Sequence, residues 1–142
     1  MRLIYPIIAL AAFLHLSFTT RDGYTERGIA SFYGKKFHGR ATASGETFDM
    51  TAMTAAHKLL PFNTLLKVTN LKNDKSVYVR VNDRGPYIHR RIIDLSKAAA
   101  ERIGLVETGI APVEIRVVSE IPEDSLSGDS ASIDYSDTPA PF

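Results

Sequence analysis

Two carboxylates in turn-like stretches are the residues of this chain best suited to chemistry. Asp83 ends an alternating apolar run in residues 81–86, VNDRGP, where the Gly-Pro pair predicts a turn. Glu46 stands in the Gly-containing stretch 44–48, SGETF. Two carboxyl groups in one cleft can cleave a glycosidic bond if one of them is protonated to assist the leaving oxygen. Taken singly, Glu46 also fits a solvated turn residue and Asp83 a structural turn.

Supporting roles are available to one histidine and to several aromatic side chains. His57 could orient a carboxylate or donate to a sugar hydroxyl, and a structural role is the alternative. Tyr33, Phe37 and Tyr87 flank Gly-containing loops, where aromatic rings could stack on sugar rings or pack into the core. Asp94 precedes a predicted helix and is interpreted as its N-cap.

Other classes of chemistry find no support in the residue types. The chain has no cysteine, which excludes a thiolate nucleophile, a thiolate metal site and a thioether-linked lipid anchor. The histidines at 38, 57 and 89 lack metal-binding spacing, so we predict no metal site. Ser31 and Ser44 lie outside any G-x-S-x-G context, which argues against acyl transfer. We expect no cofactor.

The elements that must position these residues are mostly short strands. Alternation predicts strands at 28–33, 65–70, 76–81, 91–94 and 113–117, with a hairpin turn at Asn73-Asp74. Residues 96–103 have helical spacing and Gly104 is suited to cap that helix. Residues 51–57 could form a strand or a helical turn. The pattern predicts a mainly β fold, a small barrel with one short crossover helix.

Charge and composition divide the chain into four segments. Residues 1–19 fit a secretory signal, or an uncleaved N-terminal anchor, and predict export. Residues 20–27 are interpreted as a linker and 28–118 as the barrel, which carries 14 basic and 8 acidic side chains. Residues 119–142 carry 6 acids and no Lys or Arg, and we expect a disordered tail. A basic body suits an anionic partner, but export argues against nucleic acid.

Six blocks in order give the chain a family resemblance. They are GIASFYG (28–34), FHGR (37–40), TASGE (42–46), AAHKLLP (55–61), VNDRGP (81–86) and RIIDLS (91–96). This series resembles the rare lipoprotein A family, the septal-ring endolytic peptidoglycan transglycosylases. The resemblance implies a six-stranded double-psi β-barrel, an acidic pair at Glu46 and Asp83, and a supporting histidine at His57. Phe32 stands where that family usually has Trp.

The resemblance also implies a function and a substrate. We expect an exported, periplasmic or cell-wall lytic transglycosylase that acts as a monomer on peptidoglycan glycan strands and releases 1,6-anhydro ends. Asp83 is expected to protonate the glycosidic oxygen and then accept the C6 hydroxyl proton, while Glu46 stabilises positive charge at the anomeric carbon. The expected substrate-binding residues are Tyr33, Phe37, Asn82, Arg84 and Tyr87. The rival hypothesis is an expansin-like wall-binding module without catalysis.

Overall fold

The computed structural model describes residues 23–126, and its main feature is a closed barrel of six strands. The strands are β1 (Thr25–Phe32), β2 (Thr54–His57), β3 (Leu65–Asn70), β4 (Ser76–Asp83), β5 (Arg91–Leu95) and β6 (Ala111–Val118). One helix, α1 (Lys97–Arg102), follows β5, and 3-10 turns occupy Lys35–Phe37 and Glu123–Ser125. The predicted mainly β, six-stranded barrel with one short helix is confirmed.

The strand order around the barrel is β1-β5-β2-β4-β3-β6, so most neighbours are not consecutive in sequence. The pairs β1/β5 and β2/β4 are parallel, whereas the other pairs are antiparallel. Parallel neighbours cannot be joined by tight hairpins and need long connections. Those connections are the polar loops that carry the candidate functional residues.

Alternating apolar side chains fill the barrel. These side chains form one continuous core, whose fully buried members include Leu66, Val68, Val79, Val81, Ile93, Leu95, Val113 and Ile115. Because successive strand residues point to opposite faces, the intervening polar residues face outward. One close approach needs a glycine: a Cβ on Gly28 would lie 2.5 Å from Ile92 Cγ2.

The helix ends correct one prediction and explain another. Ser96, not Asp94, is the N-cap, since its side chain accepts a hydrogen bond from the Ala99 N–H. Asp94 lies inside β5 and projects from the sheet instead. Gly104 adopts φ +68 just beyond the helix, as expected for a C-terminal capping glycine.

Several predicted boundaries shift because of strand pairing. β1 begins at Thr25, inside the predicted linker 20–27, since residues 25–27 pair with Arg116, Ile115 and Glu114 of β6. β4 continues to Asp83, where a register shift opposite Ala55 and Ala56 lets Asp83 project outward. Residues 54–57 are a strand, which decides between the two readings of 51–57.

The predicted signal or anchor, residues 1–19, lies outside the described residues, as does most of the predicted tail. The described part of that tail contains the 3-10 turn Glu123–Ser125. Within residues 23–126 no helix is long and apolar enough to cross a bilayer.

Candidate active site

Four residues on adjacent strands form a line across the outside of the barrel, which we call the outward row: Ser31, Asp94, Ala56 and Asp83. Ser31 pairs with Asp94 between β1 and β5, and Ala56 pairs with Asp94 on one side and Asp83 on the other. Neighbouring strands lie about 4.8 Å apart, so the two aspartate backbones are roughly 10 Å apart with the Ala56 methyl group between them. Two acids therefore project side by side over a small apolar floor.

Asp83 is held by donors on both of its carboxylate oxygens. The Tyr33 hydroxyl donates to Oδ2 at 2.6 Å. The N–H groups of Ala43 and Arg84 donate to Oδ1 at 2.9 Å and 2.8 Å. The half-buried carboxylate is thus fixed in one orientation and is used entirely as an acceptor.

Asp94 occupies a different environment. It accepts a hydrogen bond from the Ser31 hydroxyl. Burial raises the pKa of Asp94 above its ordinary value, and the nearby Asp83 charge raises it further. The Ser31 hydrogen bond and the Arg91 guanidinium oppose this rise but do not cancel it. Asp94 is therefore better suited than an ordinary aspartate to hold a proton.

Tyr33 links the acids to an aromatic cluster. Its ring centroid lies 4.7 Å from that of Phe48 and 5.7 Å from that of Phe37. Burial and the hydrogen bond to Asp83 raise the Tyr33 pKa far above its ordinary value, so the phenol stays a donor. The ring predicted to bind substrate thus orients Asp83.

Glu46 is engaged by a cation. Arg80 Nη2 lies 2.7 Å from Oε1, and Arg80 Nη1 lies 2.8 Å from Oε2, which is a bidentate pair. The hydrogen bonds from Arg80 lower the Glu46 pKa against a smaller effect of burial. Ser44 Oγ donates to Oε2 at 3.2 Å. Glu46 is consequently an ionised acceptor.

His57 lies on the opposite side of β2 from the outward row. The ring is buried at one end of the barrel interior, where Nδ1 accepts from the N–H groups of Leu59 and Leu60, each at 3.1 Å. The proton is therefore on Nε2, which donates to Glu26 Oε2 at 3.1 Å. Among residues 23–126, the His57 ring is hydrogen-bonded to Glu26, Leu59 and Leu60, and to neither Asp83 nor Glu46.

Comparison with known proteins agrees with the barrel and its loops. A family model described as lytic transglycolase matches residues 25–115, which include every strand up to most of β6. The chain belongs to this family. The resemblance of the six sequence blocks is therefore confirmed, and so is the double-psi barrel that it implies.

Two relatives are similar to this lytic transglycolase domain in sequence. The endolytic peptidoglycan transglycosylases RlpA of Campylobacter jejuni and Vibrio cholerae are 58% and 60% identical over 96 and 97 residues, each covering 68% of this chain. The chain spans 35% and 37% of those relatives, about a third of their length.

Streptomyces papain inhibitor (TM-score 0.56, 22% identity) covers 68% of this chain and 96% of its own. An apo Clavibacter michiganensis expansin (0.56, 21%) covers 70% and 52%. Both structures support the fold alone.

The remaining predicted substrate-binding residues of this lytic transglycolase domain differ in exposure and in hydrogen bonding. Tyr87 is 78% exposed beyond the end of β4 and can meet a ligand. Asn82 is buried, and its Oδ1 has no hydrogen-bond partner among residues 23–126. The Arg84 guanidinium donates to the carbonyls of Leu60 at 2.9 Å and His57 at 3.3 Å. Its side chain therefore stabilises the turn after β2, and only its backbone N–H bonds to Asp83.

Phe37 is a partly covered surface ring. Lys36 Nζ lies 5.2 Å from its centroid and the Arg40 guanidinium 5.8 Å, distances at which a cation attracts an aromatic face. The wall beside Tyr33 is therefore aromatic and basic. Within residues 23–126 no three His, Asp or Glu side chains are grouped so as to hold a metal ion.

Sequence reasoning missed Asp94 and Arg80 as members of the site. One signal for Asp94 was present: a lone carboxylate in the apolar run Ile92-Ile93-Asp94-Leu95 has no turn to explain it. Arg80 shares the outward face of β4 with Asn82, but only the fold shows that the 42–46 turn lies over that face.

Proposed function

We propose that this barrel is an exported peptidoglycan lytic transglycosylase that cleaves the bond between MurNAc and GlcNAc and leaves a 1,6-anhydro end. The observation that carries the proposal is the outward row, which places two aspartates with different environments side by side. The family of the chain and the names of its relatives support the chemistry and the polymer.

Asp94 is the proton donor in this mechanism. Glycoside cleavage needs a carboxylic acid that is protonated near working pH. Burial raises the pKa of Asp94 in the direction that such a donor needs, whereas the bidentate pair with Arg80 lowers the pKa of Glu46. Asp94 gives its proton to the glycosidic oxygen as the bond from that oxygen to C1 breaks, and the GlcNAc alcohol leaves.

Asp83 completes the reaction as a base. The carboxylate stabilises the positive charge at C1 and then accepts the proton of the C6 hydroxyl as that oxygen bonds to C1. Asp94 loses one proton to the leaving oxygen and Asp83 gains one from the C6 hydroxyl, and exchange with solvent restores both groups. The nucleophile belongs to the substrate, so its advantage is proximity, and no cofactor is required.

The other residues act by position or by contact with the glycan. Tyr33, Ala43 and Arg84 fix the Asp83 carboxylate through their hydrogen bonds. Tyr87 and Phe37 offer exposed or partly exposed rings for sugar stacking. The mechanism gives His57 no proton-transfer step, because its ring faces Glu26.

Location and partner follow from the same proposal. The substrate is the glycan strand of peptidoglycan, and the enzyme acts on it as a monomer in the periplasm or cell wall. The hydrophobic stretch at the start of the chain supports export, and the excess of basic side chains in residues 28–118 suits an anionic polymer.

The test is a product analysis with the whole chain. Purified glycan strands incubated with the protein should yield fragments that end in 1,6-anhydro-muramyl residues, as identified by mass spectrometry. Asp83→Asn should release none above background. Ordinary reducing ends would show that water is the nucleophile and that the protein is a hydrolase. Glycan binding without cleavage would establish the expansin-like alternative.

A further inference from the structure

The turn at residues 42–46 is a closed unit. The Thr42 N–H donates to the Glu46 carbonyl at 2.8 Å, and the Gly45 N–H donates to the Thr42 carbonyl at 3.0 Å. Gly45 has φ +90, a conformation that favours glycine and lets the chain reverse. The turn is therefore a compact unit, whose two ends are joined by the bridge between Ala41 and Thr47, and contacts with β4 fix its position over the barrel.

Four contacts attach this turn to β4, and one of them is a hydrogen bond between the side chains of Glu46 and Asn82. The Glu46 carboxylate pairs with Arg80 through two hydrogen bonds of 2.7 Å and 2.8 Å. The Ser44 N–H reaches the Asn82 carbonyl at a longer 3.3 Å. The Ala43 N–H reaches Asp83 Oδ1 at 2.9 Å. The Glu46–Arg80 pair is the strongest of these contacts, because both partners are charged and the geometry is bidentate.

Arg80 is itself held in place. Its side chain is largely buried, at 19% exposure, and Nη1 also donates to Asn63 Oδ1 at 3.1 Å. Its backbone N–H donates to the Met53 carbonyl at 3.0 Å. The guanidinium is thus a fixed point on the barrel, from which Glu46 fixes the turn.

We propose that Glu46 and Arg80 are positioning residues, whose pair holds the 42–46 turn so that the Ala43 N–H donates to Asp83. The inference rests on the proposed function, since it takes Asp83 as the group that accepts the substrate proton. Glu46 transfers no proton in this scheme. Its carboxylate acts through Arg80, the turn and one backbone N–H.

The consequence for catalysis is geometric. Without the pair, the turn keeps its long Ser44 contact, the Ala43 contact itself and, where Glu46 is retained, the hydrogen bond with the Asn82 side chain. A displacement of about 1 Å at a group that orients a reacting residue can lower a rate about 100-fold. Loss of either partner should have a similar effect, because either loss removes the bidentate pair and leaves at most the weaker hydrogen bond between Glu46 and Asn82.

A double-mutant cycle tests this equivalence. Glu46→Gln and Arg80→Gln should each lower kcat by about 10- to 100-fold. The kcat of the double variant should be no lower than that of the less active single variant. Arg80→Lys, which keeps the charge but not the bidentate geometry, should recover part of the activity. Arg27→Gln and Glu114→Gln, which break an exposed ion pair elsewhere, are matched controls.

One further readout separates positioning from mere folding. In NMR spectra without substrate, the Ala43 amide proton should shift upfield and exchange faster, while amides of β3 and β6 stay protected.

The outcomes are distinct. A Glu46→Gln variant at least about 100-fold slower than Arg80→Gln, with an unchanged Ala43 amide, would make Glu46 a catalytic residue and overturn the inference. Multiplicative losses in the double variant would also overturn it. If the wild-type chain released no anhydro product, the proposed function would fail, yet the Ala43 amide would still report whether the Glu46–Arg80 pair holds the turn.

Discussion

Glu46 and Asp94, the other two carboxylates of the candidate site, have opposite environments. Glu46 comes from a surface turn, keeps 41% of its side chain exposed and pairs with Arg80, which lowers its pKa. Asp94 comes from the sheet, is more buried and has a raised pKa. The two acids thus differ in the direction in which the fold moves their pKa, although both belong to the same candidate site.

The comparison shows that the environment, rather than the motif, assigns the role of an acid. An ionised carboxylate in a bidentate pair can hold a structure together but cannot donate a proton. A buried carboxylic acid beside a second negative charge can donate one. In the proposed mechanism the Gly-containing turn that makes Glu46 conspicuous in the sequence therefore serves positioning, and Asp94, a strand residue outside any turn motif, is the acid.

Replacement of Asp94 should have the largest effect on catalysis and tests the contrast with Glu46 directly. Asp94→Asn should lower kcat by about 100- to 10,000-fold, because general acid assistance is lost while the side chain keeps its shape and can still accept from Ser31. The loss should exceed that of Glu46→Gln. Rates of anhydro-product release by the two variants give the answer.

Asp74→Asn is the matched control for Asp94→Asn. Asp74 lies in the exposed β3–β4 turn with φ +58, a conformation that Asn tolerates well, so activity should be unchanged. Equal losses in Asp94→Asn and Glu46→Gln would contradict the assignment of the donor.

Tyr33→Phe should have the next largest effect. The change removes the 2.6 Å hydrogen bond to Asp83 but keeps the ring that packs against Phe48. A hydrogen bond to a charged group contributes about 1.5–3 kcal/mol, so kcat should fall about 10- to 100-fold at nearly constant KM. A rise in KM alone would instead indicate that the ring binds glycan. Tyr78→Phe serves as the control.

A smaller change concerns the pH dependence of the donor. The Ser31 hydrogen bond lowers the Asp94 pKa, so Ser31→Ala should raise that pKa further. Because the donor must be protonated, the alkaline limb of the kcat profile should move to higher pH. Ser76→Ala, which removes an exposed hydroxyl on β4, should leave the profile in place. A limb that moves to lower pH in Ser31→Ala would assign it to another group.

The sequence predicted the barrel well because strand alternation is local. The runs at 65–70 and 76–81 alternate strictly, and their hairpin needs only the turn between them. The site was predicted less completely because its members come from β1, β4, β5 and one loop. Ala56 could not be recognised as a floor from sequence, since only its pairing with strands on both sides reveals the position.

His57 illustrates the same limit. The block AAHKLLP places a histidine one residue from Ala56, but successive strand residues point to opposite faces. Ala56 therefore belongs to the outward row, whereas His57, the next residue of β2, points to the opposite face and contacts Glu26. No property of the residue types alone distinguishes these two faces.

The smallest expected effect compares the two acids by their contributions to stability. Glu46 has a lowered pKa in the fold, so its ionisation stabilises the native state above its ordinary value of 4.5, and this stabilisation is lost as pH falls. Asp94 has a raised pKa, so its ionisation costs stability as pH rises above its ordinary value of 3.8. At pH 7 the two substitutions should therefore change the free energy of unfolding in opposite directions.

Glu46→Gln should lower the free energy of unfolding by about 0.5–1 kcal/mol at pH 7, the range for a partly exposed ion pair. Asp94→Asn should raise it, on the order of 1 kcal/mol, as is common when a functional group that costs stability is removed. Urea unfolding at pH 7 and again near pH 3.5 would measure both changes, and both should shrink at the lower pH. Destabilisation by Asp94→Asn at pH 7 would mean that the carboxylate belongs to the architecture of β5, and the contrast with Glu46 would then be lost.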